Sequence, residues 1–149
     1  MSYLLDTNVV SEGIKPRAEP TVLAWLDNVG EDGVFLSVAT FAEIRNGIEL
    51  LTPGRRRDRL EGWIEEIAER FRGRILPIDR HIAEAWGVIN VRRRRVGSPI
   101  DALDAFFAAT AEVHGLTLAT RNERDFARLG IDVFNPWMYE PPTEEERVV

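Results

Sequence analysis

Four acidic residues of the chain stand just beyond or inside short apolar runs. Asp6 follows Tyr3-Leu4-Leu5, Glu43 comes soon after Val34 to Val38, Asp104 sits inside SPIDALDAFFAAT, and Asp125 closes LTLATRNERD. Carboxylates gathered at one place repel one another and raise each other's pKa unless a cation neutralises them. The chain has no cysteine and only two histidines, His81 and His114. An oxygen-only donor set selects Mg²⁺ or Mn²⁺ over zinc.

Each acid also has an ordinary structural reading. Asp6-Thr7-Asn8 is good turn chemistry, and any of the three can cap a following helix. Thr40-Phe41-Ala42-Glu43 fits a capping box, in which Glu43 reaches back to the cap amide. Asp101, downstream of Ser98-Pro99, reads as an acidic first-turn residue, with Ser98 as cap and Pro99 at the first helical position. Asn122 or Thr120 can cap a turn that carries Asp125. Asp104 is the hardest to explain structurally. It lies on a helix that is apolar around most of its circumference, with no basic residue within a helical turn, and a buried carboxylate needs a partner or a metal.

The elements that must position these acids follow from hydrophobic periodicity. Short apolar runs at Tyr3 to Leu5, Val34 to Val38, Ile75 to Ile78, Leu116 to Ala119 and Val133 to Phe134 read as strands. Apolar residues at three- and four-residue spacing predict helices over Val22 to Leu26, Phe41 to Leu51, Leu60 to Phe71, Ile82 to Val91 and Leu103 to Val113. Alternating strands and helices imply an α/β fold, a mostly parallel central sheet of four to five strands covered on both faces. In such sheets ligands bind beyond the carboxyl ends of the strands, where these acids would stand. Pro53-Gly54 is expected to close one helix and Gly97 another.

Composition bounds the rest. A chain of 149 residues, 44% hydrophobic and 30% charged, is the size and make-up of one folded domain. Neither a secretory leader nor an apolar run of roughly 20 residues is evident, so a cytoplasmic protein without membrane contact is expected. The net charge of −6 opposes nucleic-acid binding overall. Two local runs, Arg55-Arg56-Arg57 with Arg59 and Arg92 to Arg95, read either as phosphate grips or as solvated helix ends placed well for the dipole. The acidic tail, residues 139–149, ends in PPTEEERVV and is expected to fray.

Together these residues resemble a known family. Leu4-Leu5-Asp6-Thr7-Asn8, Ala42-Glu43-Ile44 with Gly47, Asp104 with Ala108-Ala109-Thr110, and Thr120-Arg121-Asn122 with Asp125-Phe126 resemble a PIN-domain ribonuclease. The closing Val133-Phe134-Asn135-Pro136-Trp137 is similar to the FitB-like branch of the VapC toxins of bacterial type II toxin–antitoxin systems. The resemblance spans the chain to about Trp137, implying a PIN domain over residues 1–138 with a three-layer α/β/α fold. It assigns Asp6, Glu43 and Asp104 to an acidic pocket for Mg²⁺, with Mn²⁺ as a substitute. Thr7, Asn8 and Thr120 would support that pocket, and Asp101 is a further supporting candidate. The family often has an acid where this chain has Asn122, a departure that Asp125 would make good as a fourth catalytic carboxylate.

The resemblance implies an endoribonuclease that hydrolyses RNA phosphodiesters, leaving a 5′-phosphate and a 3′-hydroxyl. It further implies a homodimer and a toxin–antitoxin hetero-oligomer. The cognate antitoxin would bring an arginine to the pocket and bind operator DNA through its own domain. A PIN-like interaction module without catalysis is the alternative, motivated by Asn122. A receiver or dehalogenase-like phosphoryl-transfer domain would need a lysine after a later strand, and the sole lysine is Lys15.

Overall fold

The protein is described by a computed structural model covering residues 1–148. Strands β1 (Tyr3–Leu5), β2 (Val34–Ser37), β3 (Ile75–Leu76), β4 (Thr117–Ala119) and β5 (Val133–Phe134) form one five-stranded sheet in the order β3-β2-β1-β4-β5. Every neighbouring pair is parallel. Residues in a strand alternate between faces, and here both faces are apolar. Leu5, Val34, Leu36 and Ala119 pack into one core, while Leu4 and Leu118 pack into the other.

The first core is covered by α1 (Thr7–Glu12), α2 (Pro20–Val29), α3 (Val38–Glu49) and α4 (Arg55–Arg70) through residues such as Val9, Trp25, Ile48 and Ile64. The second is covered by α5 (Arg80–Arg95) and α6 (Ala102–His114). Ala105, Ala108, Ala109 and Ala111 are buried on α6, and side chains this small let the helix seat closely in the second core. Gly115 ends α6 in the left-handed conformation at φ 63, as a terminating glycine commonly does. A last helical turn, α7 (Glu144–Arg147), is capped by Thr143 and Glu146 within the tail, whose final residue, Val149, lies outside the described residues.

Several boundaries differ from the spacing-based expectation. Val38 belongs to α3 rather than β2, because Ser37 caps the helix by accepting a hydrogen bond from the Ala39 amide at 3.0 Å. Thr40 and Glu43 therefore lie inside α3, and they form no capping box. Ser98-Pro99 does not open α6 either. Asp101 is the cap, accepting from the Leu103 amide at 3.0 Å, while the Ser98 carbonyl and hydroxyl are both engaged by Arg93. Gly54 opens α4 rather than closing α3, which ends at Glu49. The arginines Arg55 to Arg59 thus stand at a helix N-terminus, the wrong end for the dipole. Acidic neighbours offset part of this, with Arg57 paired to Glu49 at 3.0 Å. Helix α1 was not evident from spacing, and β3 is shorter than expected.

Phe107 is fully buried in the second core. Phe107→Ala is expected to cost about 3–5 kcal/mol in urea unfolding. A loss well under about 1 kcal/mol would contradict its central place in that core.

Candidate active site

Connections from β1 lead to β2 and β3 on one side, and the chain then crosses to β4 and β5 on the other. The gap between the carboxyl ends of β1 and β4 is therefore the point where the winding reverses, the place open parallel sheets bind ligands. Asp6 ends β1 and Thr120 ends β4. The Asp6 amide donates to the Ala119 carbonyl at 2.9 Å, locking the two ends together.

Asp6 caps α1 through Oδ1, which accepts from the Thr7 amide at 2.7 Å. Its Oδ2 accepts from the Thr120 hydroxyl at 2.7 Å and from the Asn8 amide group at 3.4 Å. The turn-forming reading of Asp6 is thus correct as geometry, yet it leaves the carboxylate buried at the sheet edge. Burial pushes its pKa up, the Thr120 and Thr7 hydrogen bonds pull it back, and the charge of Asp125 pushes it up again.

Glu43 turns from α3 toward the same edge. The Thr7 hydroxyl lies 2.9 Å from Glu43 Oε1 and 3.2 Å from the Thr40 hydroxyl. Thr7 thus links the Asp6 and Glu43 segments, and Thr40 is a member of this network that the sequence reading assigned only to a cap. Burial raises the Glu43 carboxyl, opposed by the Thr7 bond and reinforced by Asp6 and Asp101.

Asp104 lies in the first turn of α6, closer to the helix end than the sequence suggested. It is half-buried and accepts no hydrogen bond among the described residues. Burial is the largest influence on it, followed by the charges of Asp6, Asp101, Asp125 and Glu43, and together they push its pKa up to about 7. Five carboxylates therefore share one electrostatic neighbourhood. Asp101 and Asp125 are exposed at its rim. Asn122 is also exposed, and its amide donates to the Thr120 hydroxyl at 3.0 Å. Among the described residues no group of three acidic or histidine side chains is already drawn to metal-binding spacing. An apolar cavity of about 390 Å³ lies elsewhere, lined by Val9, Val10, Leu26 and Trp63, and holds none of these acids.

The PIN domain family pattern matches residues 3–132. The chain belongs to the PIN-domain family. It is 42% identical over 135 residues to Toxin FitB of Neisseria gonorrhoeae, covering 90% of this chain and 97% of that one. It is 37% identical over 138 residues to VapC ribonuclease Y4jK of Sinorhizobium fredii, covering 90% and 96%. The solved structure of FitAB bound to an IR36 DNA fragment has a chain that superposes with a TM-score of 0.85 at 40% identity, covering 95% of this chain and 99% of that one. The PIN fold and the FitB/VapC kinship expected from the motifs both hold.

Two arginines near the PIN-domain site escaped the motif reading. Arg93, read as part of a basic run, is buried and donates to the carbonyls of Ser98, Asp125 and Ala127 at 2.8, 2.7 and 3.2 Å. It holds the Asp125 turn and the loop before Asp101. A buried arginine bonded this way is an anchor, and only its place on the inward face of α5, opposite Val88 and Val91, would have revealed it in the sequence. Arg121 follows Thr120, lies 5.1 Å over the Trp137 ring, and donates its amide to Asn8 Oδ1 at 3.4 Å.

Asp104 has an ordinary carboxyl pKa of 3.8 when unfolded and about 7 when folded. Between those values the folded chain binds more protons, so stability falls as pH rises through that window and levels off above it. Asp104→Asn is expected to flatten this slope and to stabilise the metal-free protein at about pH 8 by on the order of 1 kcal/mol, a figure discounted for the half-exposed position. Identical thermal melting of variant and parent at that pH would contradict the clustering of charge around Asp104.

Proposed function

We propose that this PIN domain is a divalent-metal-dependent endoribonuclease and the toxin of a toxin–antitoxin pair. The observation that carries the reading is the gathering of Asp6, Glu43 and Asp104, with Asp125 at the rim, where β1 and β4 end. Each of the first three is held above its ordinary carboxylate range by burial and by its acidic neighbours. Kinship with proteins named toxin and ribonuclease supports the same reading.

The donor set fits a hard cation. It is all oxygen, it is short of positive charge, and Asp104 has no hydrogen-bond partner to give up. Asp6, Glu43 and Asp104 would hold Mg²⁺, or Mn²⁺ in its place. When bound, the ion supplies Lewis-acid polarisation of a phosphodiester oxygen and a lowered pKa for a water nucleophile.

The chain's own residues do the positioning. Thr120 fixes Asp6 Oδ2 and Thr7 fixes Glu43 Oε1, so two carboxylates are oriented by hydroxyls rather than by packing alone. Asp125 carries the fourth negative charge that Asn122 lacks. Arg121, stacked on Trp137 beside the acidic pocket, offers the RNA backbone a cation and keeps a neighbouring phosphate near the carboxylates. An antitoxin completes the pair, and any operator DNA contact belongs to that partner.

The alternative, a PIN-like module that binds a partner without catalysis, draws on Asn122 and on the open spacing of the acids. Cleavage of a mixed RNA pool by the purified chain separates the two. Cleavage is expected with Mg²⁺ and Mn²⁺, to vanish with EDTA, and to fall at least about a hundredfold in Asp6→Asn. Intact RNA together with no calorimetric Mg²⁺ or Mn²⁺ binding would favour the interaction module.

Arg121→Ala is expected to raise KM several-fold with little change in kcat. In RNA binding by the Asp6→Asn protein, it should reduce the salt slope by about 0.7 to 1. An unchanged slope would remove Arg121 from the RNA contact.

A further inference from the structure

Helix α5 turns Ile82, Ile89 and Arg93 inward against the second core. Its opposite face is also partly apolar. Val88, Val91 and Val96 are 57%, 43% and 48% exposed, and with Glu84, Gly87, Arg92 and Arg95 they line a shallow concavity of about 760 Å³. At 3.6 residues per turn, Glu84, Val88, Val91 and Arg95 fall in a stripe about 60° wide, pointing away from the core. A Cβ on Gly87 would meet nothing within 4 Å, so another backbone can approach there.

We infer that this face of α5 is a two-fold surface on which a second copy of the chain docks antiparallel. The order of residues along the stripe carries the inference. An axis passing between Ile89 and Asn90 sets Glu84 opposite Arg95 of the second copy, Val88 opposite its Val91, and Gly87 opposite its Arg92. Symmetry then repeats each contact with the copies exchanged. Acid meets base, valine meets valine, and the one glycine faces a bulky guanidinium.

A parallel arrangement would set Glu84 against Glu84 and Arg95 against Arg95, which like-charge repulsion disfavours. Existing contacts leave these groups available. Glu84 has only a 3.7 Å contact with the exposed Arg80, and Arg95 forms no ion pair among the described residues. Arg92 commits one nitrogen to the Leu129 carbonyl. The family resemblance implies a homodimer without saying which surface makes it. The pairing on α5 rests on this stripe alone and stands whether or not the chain cleaves RNA.

The test is the association state of the full chain, purified in the Asp6→Asn background to silence the proposed activity and measured by sedimentation across the micromolar range. The parent is expected to be dimeric. Glu84→Arg places arginine against arginine twice, and Arg95→Glu places glutamate against glutamate twice. Each alone is expected to weaken the dimer about tenfold or more.

Mixing the two single variants restores an acid–base pair at both contacts. A heterodimer with affinity near the parent's is therefore expected, an outcome that mere misfolding of either variant would not produce. Circular-dichroism melting checks that each variant is folded. A monomeric parent, or a dimer indifferent to both substitutions, would overturn the assignment, as would failure of the mixture to associate.

Discussion

A 2.7 Å hydrogen bond from the Thr120 hydroxyl to Asp6 joins the ends of two adjacent strands across 114 residues of chain. Most of the site depends on it. Asp6 is also the cap of α1, so the bond fixes where that helix starts and hence where Thr7 and Asn8 point. Thr7 then reaches Glu43, and Asn8 reaches the Arg121 amide. A single buried carboxylate thus coordinates sheet, helix start and neighbouring acid. Its burial at this point is tolerable because amide and hydroxyl donors replace the water it has lost.

The same arrangement holds negative charge together without neutralising it. The raised pKa values of Asp6, Glu43 and Asp104 have burial as their leading cause and neighbouring carboxylates as a further one. The fold opposes that repulsion by distributing the acids over elements that cannot move apart: β1, α3, α6 and the turn after β4. Asp104 gains a little from standing at the N-terminal turn of α6, where the helix dipole favours an anion. The acids remain available because the hydrophobic layers on both faces of the sheet, rather than the polar edge itself, supply the stability.

Much of this was legible in the chain. The apolar triplet before Asp6 could be read as a strand because both faces of a parallel sheet are buried, so its residues need not alternate with polar ones. Glu43 and Asp104 were identifiable because each sat where a simple structural role was strained. The helix limits were harder. Ser98-Pro99 has the local chemistry of a helix start, but Arg93 captures Ser98 from another element and Asp101 becomes the cap. Thr40-Phe41-Ala42-Glu43 likewise has the letters of a capping box, and Ser37 takes the position first. Such competitions are settled by tertiary partners that no local window contains. The basic run at Arg92 to Arg95 shows the same limit, since one of its arginines is a buried anchor and its neighbours are not.

The anchoring by Arg93 ties the order of an irregular turn to the end of a helix. Residues around Asp125 form only a short 3-10 turn, with Arg93 holding the carbonyls of Asp125 and Ala127. Helix ends fray more readily than helix middles, and segments that open together behave as one cooperative unit. Unwinding the last turns of α5 therefore releases the loop that carries Asp125 as well. The rim of the acidic cluster and the end of a distant helix then share a single local unfolding equilibrium, so the charge that faces a ligand is present only while that helix end is wound.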